Sequence, residues 1–162
     1  HLPGESLPEA FAIVNPNRHD DSSGLGQLAA VGVAFMLAVA ANRTLRERGW
    51  YARRTEPDLR NWLGLVALGT VADVVPLKGL NRAFVTKGLE AMAGGAVRGL
   101  TALKEIAGFS GAVEPYHLGF VLGPRVNAGG RVGRCDLGAR LLTTEDAEEA
   151  SAIARELDEL NR

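Results

Sequence analysis

Residues 65–77 read LVALGTVADVVPL, and the rest of the chain is understood outward from them. The stretch is almost wholly apolar and holds one charge, Asp73. Leu59, Trp62, Leu63 and Val66 lead into it at helical spacing, and Pro76 prevents a helix from running through undisturbed. A carboxylate in such company is costly to bury unless something pairs with it. The partner can be a metal ion, an arginine, or the free N–H groups of a helix start. The spacing alone leaves a structural cap or ion pair as open as a ligand role.

Upstream, Thr55-Glu56-Pro57-Asp58 reads as a helix start with Thr55 as the cap. Before it, an alanine-rich helix is expected over about 27–48, with Arg43, Arg46 and Arg48 near its C-terminus and Gly49 as the stop. Ala10 to Val14 (AFAIV) lies between Pro8 and Asn15-Pro16 and reads as a short buried strand. One strand is not a sheet, so its partners are expected outside these residues. The chain begins at His1 and ends in a charged helical pattern, and it reads as a piece of a longer protein.

Downstream, Asn81 is the expected cap of a helix over about 82–93, followed by helices near 99–107 and 114–122. Residues 123–134 then read GPRVNAGGRVGR. Glycines let a backbone approach a ligand closely, and arginine suits bidentate phosphate contacts. The spacing is neither a Walker loop nor GxGxxG. An anion-binding loop and a plain glycine-rich turn both remain open. Helices over about 136–142 and beyond Thr143-Thr144-Glu145-Asp146 close the chain.

Composition bounds the function classes. The 162 residues carry 18 Lys+Arg against 19 Asp+Glu, with 46% hydrophobic and 23% charged residues. This is the balance of a folded globular chain and excludes a disordered, collagen-like or globally basic duplex-wrapping protein. The single cysteine, Cys135, forms no internal disulfide and fits a reducing compartment, so a cytoplasmic location is expected. Leu28 to Ala41 is too short to span a membrane, and no secretory signal is visible. His19, beside Asp20 and Asp21, reads as solvated loop before metal ligand. His117 reads as packed or half-exposed before catalytic, and no histidine pairs with Cys135.

Several stretches together resemble the RecJ family, single-strand-specific DNA exonucleases of the DHH phosphoesterase superfamily. They are HLPGESLPEAFAIVNPNRHDDS, LAAVGVAFMLAVAANR, LVALGTVADVVPLKGLNRAFV, YHLGFVLGPRVNAGGRVG and DLGARLLTTEDAEEASAIARELDELNR, in that order. GTVADVVPL and LGPRVNAGGRVG are the most specific. The resemblance implies a helix-rich α/β fold. Residues 1–77 would be the C-terminal part of a DHH-type parallel-sheet domain, 78–108 a connecting helical segment, and 109–162 the start of a DHHA1-type domain.

The resemblance also implies site residues. His1 would be the last histidine of the DHH signature and, with Asp73, a catalytic metal ligand. Arg125, Asn127, Gly130 and Arg131 would contact the substrate. The cofactor would be Mn²⁺ or Mg²⁺ in a two-metal site completed by residues absent here. The substrate would be single-stranded DNA, cut from the 5′ end to mononucleotides in repair and recombination, with a helicase or single-strand-binding protein as further partners and no membrane. The isolated 162 residues are expected to be inactive. Ala30 stands where family members often have glycine, a departure that matters only if that position needs a positive φ. Two other classes stay open: a phosphoesterase of short oligonucleotides, cyclic dinucleotides or polyphosphate, and a non-catalytic helical scaffold.

Overall fold

The computed structural model describes residues 2, 4, 6–130 and 134–162. Helices take up more than half of the described residues, and no strand occurs among them. The order is α1 (Ala30–Glu47), two 3-10 turns (Trp50–Arg53, Leu59–Trp62), α2 (Leu63–Ala72), α3 (Gly79–Ala93), α4 (Arg98–Ile106), α5 (Pro115–His117), a π turn (Leu118–Leu122), α6 (Gly123–Ala128), α7 (Leu137–Thr143) and α8 (Ala147–Asn161). No helix among the described residues is long and apolar enough to cross a membrane.

Helix α2 is the axis of the molecule because it is apolar on all sides. Its Val66 packs with Leu28 and Phe84 of the α1–α3 side. Its Ala67 and Leu68 join the larger core on the other side. Helix α3 comes closest: a Cβ at Gly88 would lie 2.3 Å from the Leu63 carbonyl oxygen, so only glycine fits that crossing. The larger core is built on Leu103, Leu118, Leu122, Leu137, Leu141 and Leu157, all fully buried. Each such leucine contributes about 1.5–3 kcal/mol by leaving water. Helix α8 closes this core, and Asp146 caps it by accepting the Glu148 and Glu149 backbone N–H groups at 2.8 and 3.0 Å.

Four expectations are corrected. Ala10–Val14 is irregular and not a buried strand; Phe11 is fully exposed and Val14 is 56% exposed. A strand needs a neighbouring ladder, and the described residues supply none. The cap near 55–58 is Asp58, which accepts the Arg60 backbone N–H at 3.0 Å, and not Thr55. Asn81 is no cap: α3 starts two residues earlier, after Lys78, with Gly79 at φ 49°. The stretch 123–128, read as loop, is helix α6. Pro124 suits the first turn of a helix, and the run continues without a break from α5 through the π turn. Ala30 is the first residue of α1 and has no positive φ, so the missing glycine causes no strain.

Candidate functional site

Asp73 directly follows α2 and occupies its C-cap. Its backbone N–H bonds the Gly69 carbonyl at 3.0 Å, which fixes the residue to the last helical turn. The side chain is exposed, so the expectation of a carboxylate sunk in apolar surroundings is overturned. The apolar neighbours belong to the body of α2, and the helix ends one residue before the charge. Among the described residues this carboxylate has no ion pair or hydrogen bond. A helix C-terminus carries partial negative charge, so an anion there is disfavoured. Asp73 thus breaks a local rule with no visible compensation, the kind of break expected at functional positions.

The next residue strengthens the point. Val74 sits at φ 56°, a conformation that β-branched residues rarely adopt. Such strain costs about 1–3 kcal/mol and persists only where the surroundings over-determine it.

Asp73 opens onto a cleft of about 810 Å³ whose walls include Asn15, Asn17, Gln27, Leu37 and Pro76. It is the one charged residue on that described wall. Asn17 closes the loop opposite: its N–H reaches Asn15 Oδ1 at 3.0 Å and its Nδ2 reaches the Gly26 carbonyl at 3.0 Å. A neighbouring hollow holds Arg18, Asp20 and Asp21. There Asp20 takes both Arg18 Nε and Nη2, at 2.8 and 2.6 Å. His19 is exposed. Among the described residues no three His, Cys, Asp or Glu side chains are placed to hold a metal together. A free carboxylate oxygen pair facing a cleft suits a hard divalent cation, so Asp73 fits as one ligand of such an ion.

The second motif meets the first. A Cβ on Gly119 would lie 3.3 Å from Val71 Cγ1, and one on Gly123 would lie 3.3 Å from Ala72 Cβ. The start of α6 therefore rests on the end of α2, next to Asp73. From there Arg125 turns inward. Its Nε donates to Asp158 Oδ1 at 2.8 Å and its Nη1 to the Val121 carbonyl at 2.8 Å. Arg162 donates to the other Asp158 oxygen at 2.9 Å. Burial raises the Asp158 pKa, but the hydrogen bonds from Arg125 and Arg162 outweigh it, and the carboxyl ends below its ordinary value. Arg125 Nη2 bonds nothing among the described residues. Asn127 and Gly130 are exposed, with the Gly130 N–H on the Asn127 carbonyl at 3.2 Å. His1 and Arg131 lie outside the described residues.

Two features escaped the sequence reading. Asp158, one acid in a charged helix, gave no sign of being Arg125's partner. Tyr116 and Phe120 stack at 5.1 Å between centroids while both stay exposed. Their i,i+4 spacing was the available signal. His117 is packed as expected, stacked on Phe109 at 4.3 Å, with Nδ1 accepting the Glu114 N–H at 3.0 Å. Cys135 is free and exposed.

No family model matches the chain. Curated relatives match it end to end. It is 47% identical to the single-stranded-DNA-specific exonuclease RecJ of Dickeya dadantii and 45% identical to that of Escherichia coli, over 100% of this chain and 29% of each relative. With the Thermus thermophilus protein of the same name it shares 36% identity, over 99% of this chain and 22% of the relative. A solved structure of exonuclease RecJ bound to manganese superposes with a TM-score of 0.78 and 35% identity, over 99% of this chain and 38% of that one. A Thermus thermophilus RecJ solved with Mn²⁺ gives 0.75 at 34% identity, over 99% of this chain and 23% of that one, and one with Mg²⁺ gives 0.68 at 36%, over 90% and 21%. The chain spans under a third of the curated relatives it matches, and within that span the resemblance to RecJ holds throughout.

Proposed function

We propose that these residues form a segment of a metal-dependent exonuclease acting on single-stranded DNA. Asp73 supplies one ligand for a divalent cation, Mn²⁺ or Mg²⁺, and the remaining ligands come from elsewhere in the protein, His1 among them. The observation that carries this reading is the meeting of α2 and α6, which sets an unpaired carboxylate on an open cleft beside the arginine-bearing helix. Such cations supply charge for the attacking and leaving oxygens of a phosphodiester.

The chain's own residues do the rest. Asp73 gives its oxygens to the cleft. Arg125, with Nε and Nη1 already held, keeps Nη2 for a phosphate oxygen, so that its fork is oriented before substrate arrives. Asn127 and Gly130 extend the polar edge of that helix end toward the strand, and Arg131 would contribute a further phosphate contact. In this reading residues 1–77 belong to a parallel-sheet domain whose strands lie outside these residues and cover Phe11 and Val14. Residues 78–108 connect, and 109–162 begin the second domain. The protein would work in the cytoplasm, in DNA repair and recombination.

The test is cleavage of labelled single strands with Mn²⁺ by the longest natural chain carrying these residues. Asp73→Asn should lower the rate by a factor on the order of 10³, the scale of losing a group that stabilises transition-state charge. It should also weaken Mn²⁺ binding. The isolated 162 residues should not cleave. Unchanged cleavage by Asp73→Asn would refute the assignment.

A further inference from the structure

Behind the cleft, and assigned no part in the reading above, is a buried amide. Asn81 lies in the first turn of α3 and is completely buried. Its two amide protons go to two carbonyls far apart in sequence. Nδ2 donates to the Gln27 oxygen at 2.9 Å and to the Pro76 oxygen at 3.0 Å. Both acceptors belong to residues that line the Asp73 cleft. Gln27 lies just ahead of α1, and Pro76 ends the short segment that leaves Asp73.

Physical chemistry gives this residue no reason to be there except those two bonds. Asparagine is a poor helix former, and a buried amide is costly unless hydrogen-bonded. Its Oδ1 is buried without a partner among the described residues, which adds to the cost. A leucine would fill the same space and favour the helix. The bonds act where the backbone is under stress. The Asp73 N–H is held by Gly69, and the Pro76 carbonyl is held twice, by Asn81 Nδ2 and by the Lys78 N–H at 2.9 Å. Between these fixed points lie only Val74, at φ 56° with its N–H on the Val71 carbonyl at 3.1 Å, and Val75. The last turn of a helix frays unless the chain beyond it is tied.

We propose that Asn81 is a positioning residue: its amide staples the Asp73–Pro76 segment to the Gln27 wall of the cleft and so fixes where the Asp73 carboxylate stands. The role rests on Asp73 being a cation ligand. Asn81 itself touches neither cation nor substrate. It acts on the ligand as an outer hydrogen-bonding partner does, by holding its backbone.

The experiment measures Mn²⁺ binding, by titration calorimetry or by loss of the free-ion paramagnetic signal, on the longest natural chain that carries these residues. Four variants are compared: Asp73→Asn, Asn81→Leu, Asn81→Ala and Val74→Gly. Asn81→Leu should keep its helical circular dichroism and cooperative melting, yet bind Mn²⁺ about 10–100-fold more weakly, the scale of losing an outer partner of a ligand. Val74→Gly, on the surface, should melt no earlier than the parent and keep parental Mn²⁺ affinity, because glycine adopts φ 56° without strain and the Asn81 bonds remain. A folded Asn81→Leu with parental Mn²⁺ affinity overturns the proposal. Should Asn81→Leu fail to fold, parental affinity in a folded Asn81→Ala overturns it. If Asp73→Asn itself keeps full affinity, the cation-ligand reading has failed, and that result is told apart from a failure confined to Asn81.

Discussion

Asp73 and Arg125 stand at adjoining ends of two helices in contact, and the fold treats them in opposite ways. Asp73 is exposed at the negative end of α2 and pairs with nothing among the described residues. The Arg125 side chain is 19% exposed and bonds the Asp158 side chain, which is 8% exposed. The second arrangement is a finished electrostatic structure: two guanidinium groups on one buried carboxylate. The first is left open. A charge that the fold has already satisfied serves architecture first. A charge placed against its helix dipole on a cleft wall is met only by solvent among the described residues and is open to a ligand. The Arg125 end is held within the fold and the Asp73 end is not; the proposed cation would fill the open side, and the proposed phosphate contact would fall to Arg125 Nη2.

The largest test breaks the satisfied side. Asp158→Ala leaves the Arg125 guanidinium largely buried with no counter-charge, and such a loss destabilises by about 3–5 kcal/mol. Replacing both partners by apolar residues, Arg125→Met with Asp158→Leu, should recover most of that in urea unfolding, because a well-packed apolar pair is often neutral relative to an ion pair. The same carboxyl sets a pH dependence. Its folded pKa is lowered, so its contribution is fully present above the unfolded value, near 3.9. That contribution is lost as pH falls through the folded value. Asp158→Ala should therefore flatten the acid limb of the stability curve below about pH 4 and leave the neutral-to-alkaline slope unchanged. A parental acid limb in the variant would mean that Asp158 is not the buried anion.

How much of this was legible in the residues follows from what each signal measures. Helical periodicity located most of the helices, since the apolar stripes of α4 and α8 face one core. The capping chemistry of Asp146 was readable, and so was the Gly49 stop, which is in the left-handed conformation. The two motifs were recognisable as special, but their environments were read in reverse. Apolar neighbours along the chain suggested that Asp73 was buried, whereas the helix ends just before it. Glycines around Arg125 suggested an exposed loop, whereas they let α6 pack closely. Burial of one side chain depends on contacts with distant residues, and position 158 is 33 residues from Arg125. Ala10–Val14 failed for a related reason: its composition suits a strand, but pairing needs a second strand that the described residues lack.

A smaller test loosens the joint between the two ends. Gly123 carries the contact of α6 with α2, and a Cβ there would lie 2.8 Å from the Leu118 carbonyl oxygen and 3.3 Å from Ala72 Cβ. Gly123→Ala must push one of them aside, at a cost of about 1–3 kcal/mol for overpacking. Thermal unfolding measures that cost. If the two ends form one site, the variant should also lose cleavage beyond what its stability explains at a temperature where it stays folded. Loss of stability alone would mean that the contact is only structural.

The smallest expected effect is the most telling for the open side. Asp73→Asn removes an anion from the C-terminal end of α2, where it faces the partial negative charge of the last carbonyls. With no ion pair to lose among the described residues, the neutral amide should stabilise the fold, by about 0.3–1 kcal/mol at low ionic strength. Salt should shrink the gain, since the group is exposed and screening reaches it. Denaturant unfolding of the metal-free protein at two salt concentrations reads both effects. A variant that gains stability while losing Mn²⁺ binding and cleavage is one in which the native carboxylate is kept at a cost to the fold. If Asp73→Asn instead destabilises the metal-free protein, the carboxylate has a structural partner, and the contrast with Arg125 disappears.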